Sequence, residues 1–183
     1  MEQSSNETTN QQERQLNLAW LGGLWEGEGT ITVVTGSKNR WFPKASIINT
    51  DFVLMSHVTH ILDENGIGHY VQVRLGGCDG DPRHKDAMVV NIVGMKRVQT
   101  FIKAIVHYLH GKKLLVTAEV DGFIQRRLSK GVRPRYDAED LECIKRIRAL
   151  NKKGPVESSE TTRQPLVVIS EPGEDIVQTV QSV

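Results

Sequence analysis

The sequence predicts an α+β domain in which an antiparallel sheet is covered on one face by helices. Three observations point there. One helical stretch is apolar nearly all round, two pairs of short β-branched segments flank an amphipathic helix, and further helical stretches follow the second pair. Of 183 residues, 38% are hydrophobic, which suits one domain of ordinary size.

Residues 1–13 are rich in Asn, Gln, Ser and Thr, and residues 1–15 are expected to form a disordered tail. Leu16–Gly27 carries Leu16, Leu18, Ala19, Trp20, Leu21 and Leu24 around its circumference and reads as a central helix. Gly29 and the β-branched run Thr30–Val34 switch the chain to a strand, "GSKNR" turns it, and Lys44–Asn49 forms the second strand. Asn49–Asp51 supplies an N-cap for a helix over Phe52–Asn65, which Gly66 ends. His69–Leu75 and Ala87–Val93 are strands flanking the polar loop "GGCDGDPRHKD". A helix over about Lys96–Leu109 is broken at "HGKK", and another covers roughly Leu114–Leu128. After the basic loop "SKGVRPR", the segment "DAEDLECIKRIRALNKKG" is amphipathic, acidic in its first turn and basic in its last, as the helix dipole favours. Residues 155–183 are polar and acidic and are expected to be a disordered C-terminal tail, which leaves residues 16–154 as the folded domain. The order is α-β-β-α-β-β-α-α-α, without an internal repeat.

Charge is unevenly spread. The chain holds 23 Lys and Arg against 22 Asp and Glu, but the two tails contain eight of the acids and two of the bases. Residues 16–154 therefore carry 21 bases and 14 acids, a net charge of about +7 that favours a polyanionic partner. No apolar run reaches the ~18 residues a membrane span needs. The N-terminus lacks the apolar core of a secretory signal and the Arg-richness of a transit peptide. Cys78 and Cys143 lack metal-site spacing and read as reduced thiols of an intracellular protein rather than as a disulfide. His57 and His60 share a helix face without a third ligand, which argues against zinc.

The stretch "LGGLWEGEG" (Leu21–Gly29) breaks two rules at once. Each Gly inside a helix costs about 0.8–1 kcal/mol relative to Ala. Carboxylates near a helix C-terminus oppose the dipole by about 0.3–1 kcal/mol each. Gly23 and Gly27 share one helix face and would let a second helix approach backbone to backbone. No second glycine-rich helix exists in the chain, so the partner is expected to be a second copy related by a two-fold axis. That axis brings two Glu28 side chains together, a repulsion that divalent cations relieve while promoting phosphodiester hydrolysis. The alternative is a glycine-terminated core helix ending in two solvated glutamates.

"LAWLGGLWEGEGTI", followed by β-β-α-β-β-α, resembles the LAGLIDADG homing endonucleases, specifically their single-motif, homodimeric subgroup. The "INTD" turn and the "YLHGKK" element agree in order and spacing, and the resemblance covers roughly residues 16–153. It implies the α-β-β-α-β-β-α-α fold of that family, with a DNA-binding antiparallel sheet and helices on its opposite face. Leu21–Gly29 aligns with the family motif, so Leu21, Gly22, Gly23, Glu26 and Gly27 would form the dimer interface. Glu28 falls on the motif's last acid, the metal ligand, where Asp is commoner, and the Gly27 carbonyl lies near the metals. Glu26 falls on the first acid, which supports the helix end. Lys112, with Lys113 adjacent, falls on the active-site lysine. Thr50 stands where some members carry a water-ordering Gln, a task left here to its hydroxyl or to Asn49. The family's basic position a few residues on reads Val53 or Leu54.

Strand alternation puts Thr30, Thr32 and Val34 on one face, with Lys44 and Ser46, and Tyr70, Gln72 and Arg74. The other face (Ile31, Val33, Ile47, Val71, Val73) is apolar and is expected to pack on helices. A twisted four-stranded ribbon fits the major groove, where Arg74 suits guanine and Gln72 adenine. Loop residues Lys38, Asn39, Arg40, Arg83, His84 and Lys85 would reach flanking bases or phosphates. Lys113, Lys152 and Lys153, and the cluster Arg126, Arg127, Lys130, Arg133 and Arg135, suit phosphates or an ordinary solvated surface.

The expectation is a homodimeric, site-specific double-strand DNA endonuclease that uses Mg²⁺, with Mn²⁺ or Ca²⁺ able to occupy the site. The resemblance implies cleavage across the minor groove, with short 3′ overhangs, at a long pseudo-palindromic target. It also implies a mobile-intron origin in a prokaryote or a DNA-bearing organelle, and no membrane partner. Two other functions share the scaffold: an RNA maturase acting on its host intron, and a non-catalytic DNA-binding regulator. Glu28 and Lys112 favour the nuclease.

Overall fold

Leu21 and Trp25 stand one helical turn apart, and both are fully buried. Around them the rest of the fold assembles. The computed structural model describes residues 3–36, 40–76, 85–131 and 135–152. The helices are α1 (Gln3–Glu28), α2 (Phe52–Glu64), α3 (Met95–Ile105), α4 (Gly111–Ser129) and α5 (Ala138–Asn151). The strands are β1 (Thr30–Thr35), β2 (Trp41–Asn49), β3 (Tyr70–Arg74) and β4 (Ala87–Val93), and a 3₁₀ turn over Val106–Tyr108 links α3 to α4. The sheet is antiparallel throughout, in the order β1-β2-β4-β3.

The element order is the expected one, with differences in extent: β2 begins at Trp41 rather than Lys44, and α3 ends at Ile105 rather than near Leu109. Helix α1 begins at Gln3 rather than Leu16. Once the apolar turns nucleate a helix, each added residue gains a hydrogen bond at small cost, and Gln, Glu and Arg tolerate the conformation. Helix α4 begins at Gly111 rather than Leu114, which carries Lys112 and Lys113 into its first turn.

Caps follow the sequence. The Asp51 carboxylate accepts from the Val53 and Leu54 amides at 2.9 and 3.0 Å and starts α2. Asp137 and Asp140 form a reciprocal capping box on α5. The core lies between the helices and the inner face of β1, β2 and β4, where Ile31, Val33, Ala45, Ile47, Val90 and Ile92 are buried. Trp25 and Phe101 rings meet there at 4.5 Å. Val71 and Val73 depart from expectation, because they are 43% and 53% exposed instead of packed on helices. The strand order explains this: β3 is an edge strand, with β4 as its one strand neighbour. No helix among the described residues is long and apolar enough to cross a membrane.

Candidate functional site

The end of α1 collects polar groups from three other elements. Glu28 is exposed, and its Oε2 accepts from Asn49 Nδ2 at 2.7 Å, at the end of β2. The same Asn49 side chain accepts from the Asp51 amide at 2.9 Å, so the turn that caps α2 also orients the Glu28 carboxylate. Glu26 accepts from the His110 backbone amide at 3.0 Å, where the N-cap residue of α4 stands. Two carboxylates that the α1 dipole disfavours are thereby matched, one by an amide side chain and one by the positive end of α4.

Lys112 and Lys113 occupy the first turn of α4, which has no acid to balance them against its own dipole. They diverge. Lys113 Nζ donates to the Gly29 carbonyl, at the α1–β1 junction beside Glu26. Burial pulls its pKa below the ordinary lysine value, and Glu26 opposes part of that shift. Lys112 Nζ donates instead to the Lys152 carbonyl at 2.5 Å. Both lysines line a cavity of about 300 Å³ with Thr30, Thr32, Asn151 and Lys152. A cationic cavity at a helix N-terminus suits an oxyanion such as a phosphate.

Beside this cavity lies the outer face of the sheet. The register aligns Thr30 with Ser46, Thr32 with Lys44 and Ser46 with Asn91, and β3 adds Tyr70, Gln72 and Arg74 on the same face. Tyr70, Gln72 and Arg74 are exposed, whereas Thr32, Val34, Lys44 and Ser46 are half-buried. Asn91 was not singled out from the sequence, although a polar residue inside "AMVVNIV" is a signal. It is fully buried, and its Nδ2 donates to Gln72 Oε1 at 3.4 Å. Arg40 and Lys85 are exposed beside the strands, while Lys38, Asn39, Arg83, His84 and Lys153 lie outside the described residues.

The glycines of α1 divide into two classes. A Cβ on Gly22 would stand 2.5 Å from Tyr108 Cβ, and one on Gly29 would enter the Trp25 ring. These two accommodate the protein's own core. At Gly23 and Gly27 a Cβ would meet nothing within 4 Å. Of the residues expected at a dimer interface, Leu21 and Gly22 are buried within the protomer, Glu26 is half-buried, and Gly23 and Gly27 are exposed on a helix face shared with Leu16 and Trp20. Leu16 is 70% exposed, and Val53 of α2 is 82% exposed.

Solved structures share this arrangement of elements. One is the homing endonuclease I-CvuI in complex with its target in the presence of calcium, with a TM-score of 0.57 at 19% identity over 79% of this chain and 88% of that one. Another is the archaeal intron-encoded homing endonuclease I-Vdi141I complexed with DNA, with a TM-score of 0.57 at 14% identity over 78% and 88%. A third, the homing endonuclease I-TnaI, has a TM-score of 0.51 at 18% identity over 75% and 89%. The chain has the LAGLIDADG homing endonuclease fold. At these identities the likeness lies in the fold, and no family model and no curated relative matches the sequence.

Within the LAGLIDADG fold, several basic residues that suit either phosphates or a solvated surface make ion pairs around the α4–α5 connection. Arg126 donates to Glu139 at 2.8 Å, Arg127 to the fully buried Asp140 at 2.9 Å, and Lys130 to Asp137 at 2.5 Å. Arg135 is exposed, its carbonyl accepting from Arg127, and Arg133 lies outside the described residues. Thr50, expected at the site, is exposed, and Asn49 makes the contact with Glu28. His57 packs edge-on to Trp20 at 4.7 Å. Cys143 is a buried free thiol, and Cys78 lies outside the described residues.

Among the described residues, no three His, Cys, Asp or Glu side chains converge as a metal cage. Helix α1 offers a single exposed carboxylate, Glu28, at its tip. This hard oxygen donor suits Mg²⁺, which accepts few protein carboxylates and takes further oxygens from water and phosphate.

Proposed function

We propose that the protein is a homodimeric, metal-dependent, site-specific DNA endonuclease. The observation that carries this reading is the placement of Glu28. It is an exposed carboxylate, oriented by Asn49, at the tip of a helix whose Gly23–Gly27 stripe is bare. Two such helices packed about a two-fold axis bring two Glu28 carboxylates together. The LAGLIDADG fold, and the complexes of I-CvuI with its target and of I-Vdi141I with DNA, support DNA as the partner. A two-fold protein reads a pseudo-palindromic target.

Glu28 and the Gly27 carbonyl would hold the divalent ion, which when bound supplies water activation and stabilisation of the leaving oxygen. The chain's own residues supply the rest. Asn49 fixes the Glu28 carboxylate, and Glu26 holds the start of α4 against α1. Lys113, rather than Lys112, presents its ammonium at the α1–β1 junction and takes the role of active-site lysine. Lys112 and Lys152 border the cavity that would receive a backbone phosphate. Thr30, Thr32, Lys44, Ser46, Tyr70, Gln72 and Arg74 face the bases.

The test is a cleavage screen with purified protein, Mg²⁺ and a randomised duplex library, repeated with Glu28→Gln. The wild type is expected to cut a two-fold-related site. The variant should bind that site with unchanged affinity and cut it at least ~1,000-fold more slowly. Near wild-type cutting by Glu28→Gln would remove the metal-ligand assignment, and no selected site would remove the endonuclease reading.

A further inference from the structure

Trp41 opens β2 opposite Thr35, the last residue of β1. Strand β4 does not reach it, because the β2–β4 pairing begins at Lys44 and Val93. One side chain takes the place of the missing strand. Tyr136 Oη accepts from the Trp41 amide at 2.8 Å and donates to the Trp41 carbonyl at 2.9 Å, 95 residues away in sequence. Backbone groups at a half-buried sheet margin need such partners.

Tyr136 is itself held from behind. The Arg127 guanidinium lies over its ring, 4.2 Å from the centroid, and is anchored on the fully buried Asp140 at 2.9 Å. From α5, the Arg148 guanidinium covers the Trp41 ring at 4.4 Å, and its Nη2 is 3.5 Å from Thr35 Oγ1. The end of the β1–β2 hairpin is therefore clamped by α4, α5 and the segment between them. That end is five residue steps from Thr30, about 17 Å at the rise of a strand, so it lies far from Glu28. The neighbouring side chains Val34, Phe42 and Lys44 point to the opposite, outer face of the sheet.

We infer that Tyr136 is a positioning residue that sets the angle of the β1–β2 hairpin end and thereby fixes base preference at the outer positions of each half-site. The inference rests on the endonuclease reading for its second half; the clamp stands on geometry alone. Without Oη the hairpin end loses both bonds and samples several angles, so side chains near the tip address more than one base.

Tyr136→Phe removes Oη and keeps the ring under Arg127. Two measurements test the inference. Amide hydrogen exchange, made without DNA, should show the Trp41 amide exchanging about tenfold faster in the variant. An unchanged rate overturns the clamp. Position-resolved cleavage of a target library should show discrimination falling about fivefold to tenfold at the outer positions, with the central positions unchanged. A wild type that selects a site and a variant with the same profile, or with a uniform loss at every position, overturns the positioning role while leaving the endonuclease reading intact. A wild type that selects no site overturns that reading and the specificity half together, with the exchange result still reporting on the clamp.

Discussion

Asn49 Nδ2 donates to Glu28 Oε2 across 2.7 Å, and Asn49 Oδ1 accepts from the Asp51 amide at 2.9 Å. One side chain thus ties the carboxylate at the end of α1 to the turn that begins α2. Its orientation is fixed by the backbone of that turn, not by solvent. Thr50, one residue on, is exposed. Asn49→Ala is therefore expected to lower cleavage about 10- to 100-fold, the usual cost of losing a group that orients a metal ligand. Thr50→Ala should fall within about twofold of wild type on the same comparison. Single-turnover cleavage at saturating protein checks both. A larger loss for Thr50→Ala would exchange their roles.

The divergence of Lys112 and Lys113 leads to a pH-dependent prediction. Lys113→Met should impair cleavage more than Lys112→Met, because only Lys113 reaches the α1–β1 junction. Burial holds the Lys113 pKa below its ordinary value of 10.5, with Glu26 opposing. The ammonium loses its proton at lower pH than a free lysine does, so single-turnover cleavage should decline on the alkaline side before pH 10.5 is reached. Lys113→Arg, whose guanidinium stays charged, should abolish that decline. For folding the sign is the reverse. The folded state binds this proton less tightly than the unfolded chain, so the cost of burying the charge is present at low pH. It is relieved as pH rises through the folded pKa towards 10.5. An alkaline limb identical in Lys113→Arg would show that another group titrates there.

Local chemistry made most of the fold legible in the sequence. The β-branched Thr30–Val34, the Asp51 cap and the strand Ala87–Val93 each announce themselves within a few residues, and each is present. Tertiary relations were less legible. The apolar alternation of Val71 and Val73 gives a strand but not its rank in the sheet, so their exposure had to await the order β1-β2-β4-β3. Basic residues look alike in sequence whether they face solvent or, like Arg127, reach a buried carboxylate 13 positions away. The motif marked Glu28 and Glu26 but left their partners open, because Asn49 and His110 arrive through contacts of 21 and 84 residues. Choosing between Lys112 and Lys113 depended on where α4 begins, a boundary of the kind that sequence specifies poorly.

In the proposed dimer, the two adjacent glycines of α1 would separate folding from assembly. Gly22 faces Tyr108, and an added Cβ would stand 2.5 Å from that residue's Cβ, an atom close to backbone that cannot swing aside. Gly22→Ala should therefore destabilise the fold by about 1–3 kcal/mol, the usual cost of overpacking. Gly23 has nothing within 4 Å of its own Cβ position. Within one protomer Gly23→Leu should be accepted, and it should gain up to about 0.8–1 kcal/mol of helix propensity. Between two protomers the same side chain would hold the backbones apart at the stripe of Gly23 and Gly27, so the dimer and cleavage should both be lost. Thermal unfolding measured at concentrations below dimer dissociation isolates the fold from the mass action of assembly. Sedimentation at micromolar concentration then reads the oligomer. The expected pattern is a lower midpoint for Gly22→Ala, and an undiminished midpoint with monomeric mass for Gly23→Leu. A Gly23→Leu protein that still sediments as a dimer and still cuts would place the interface on another face of the molecule.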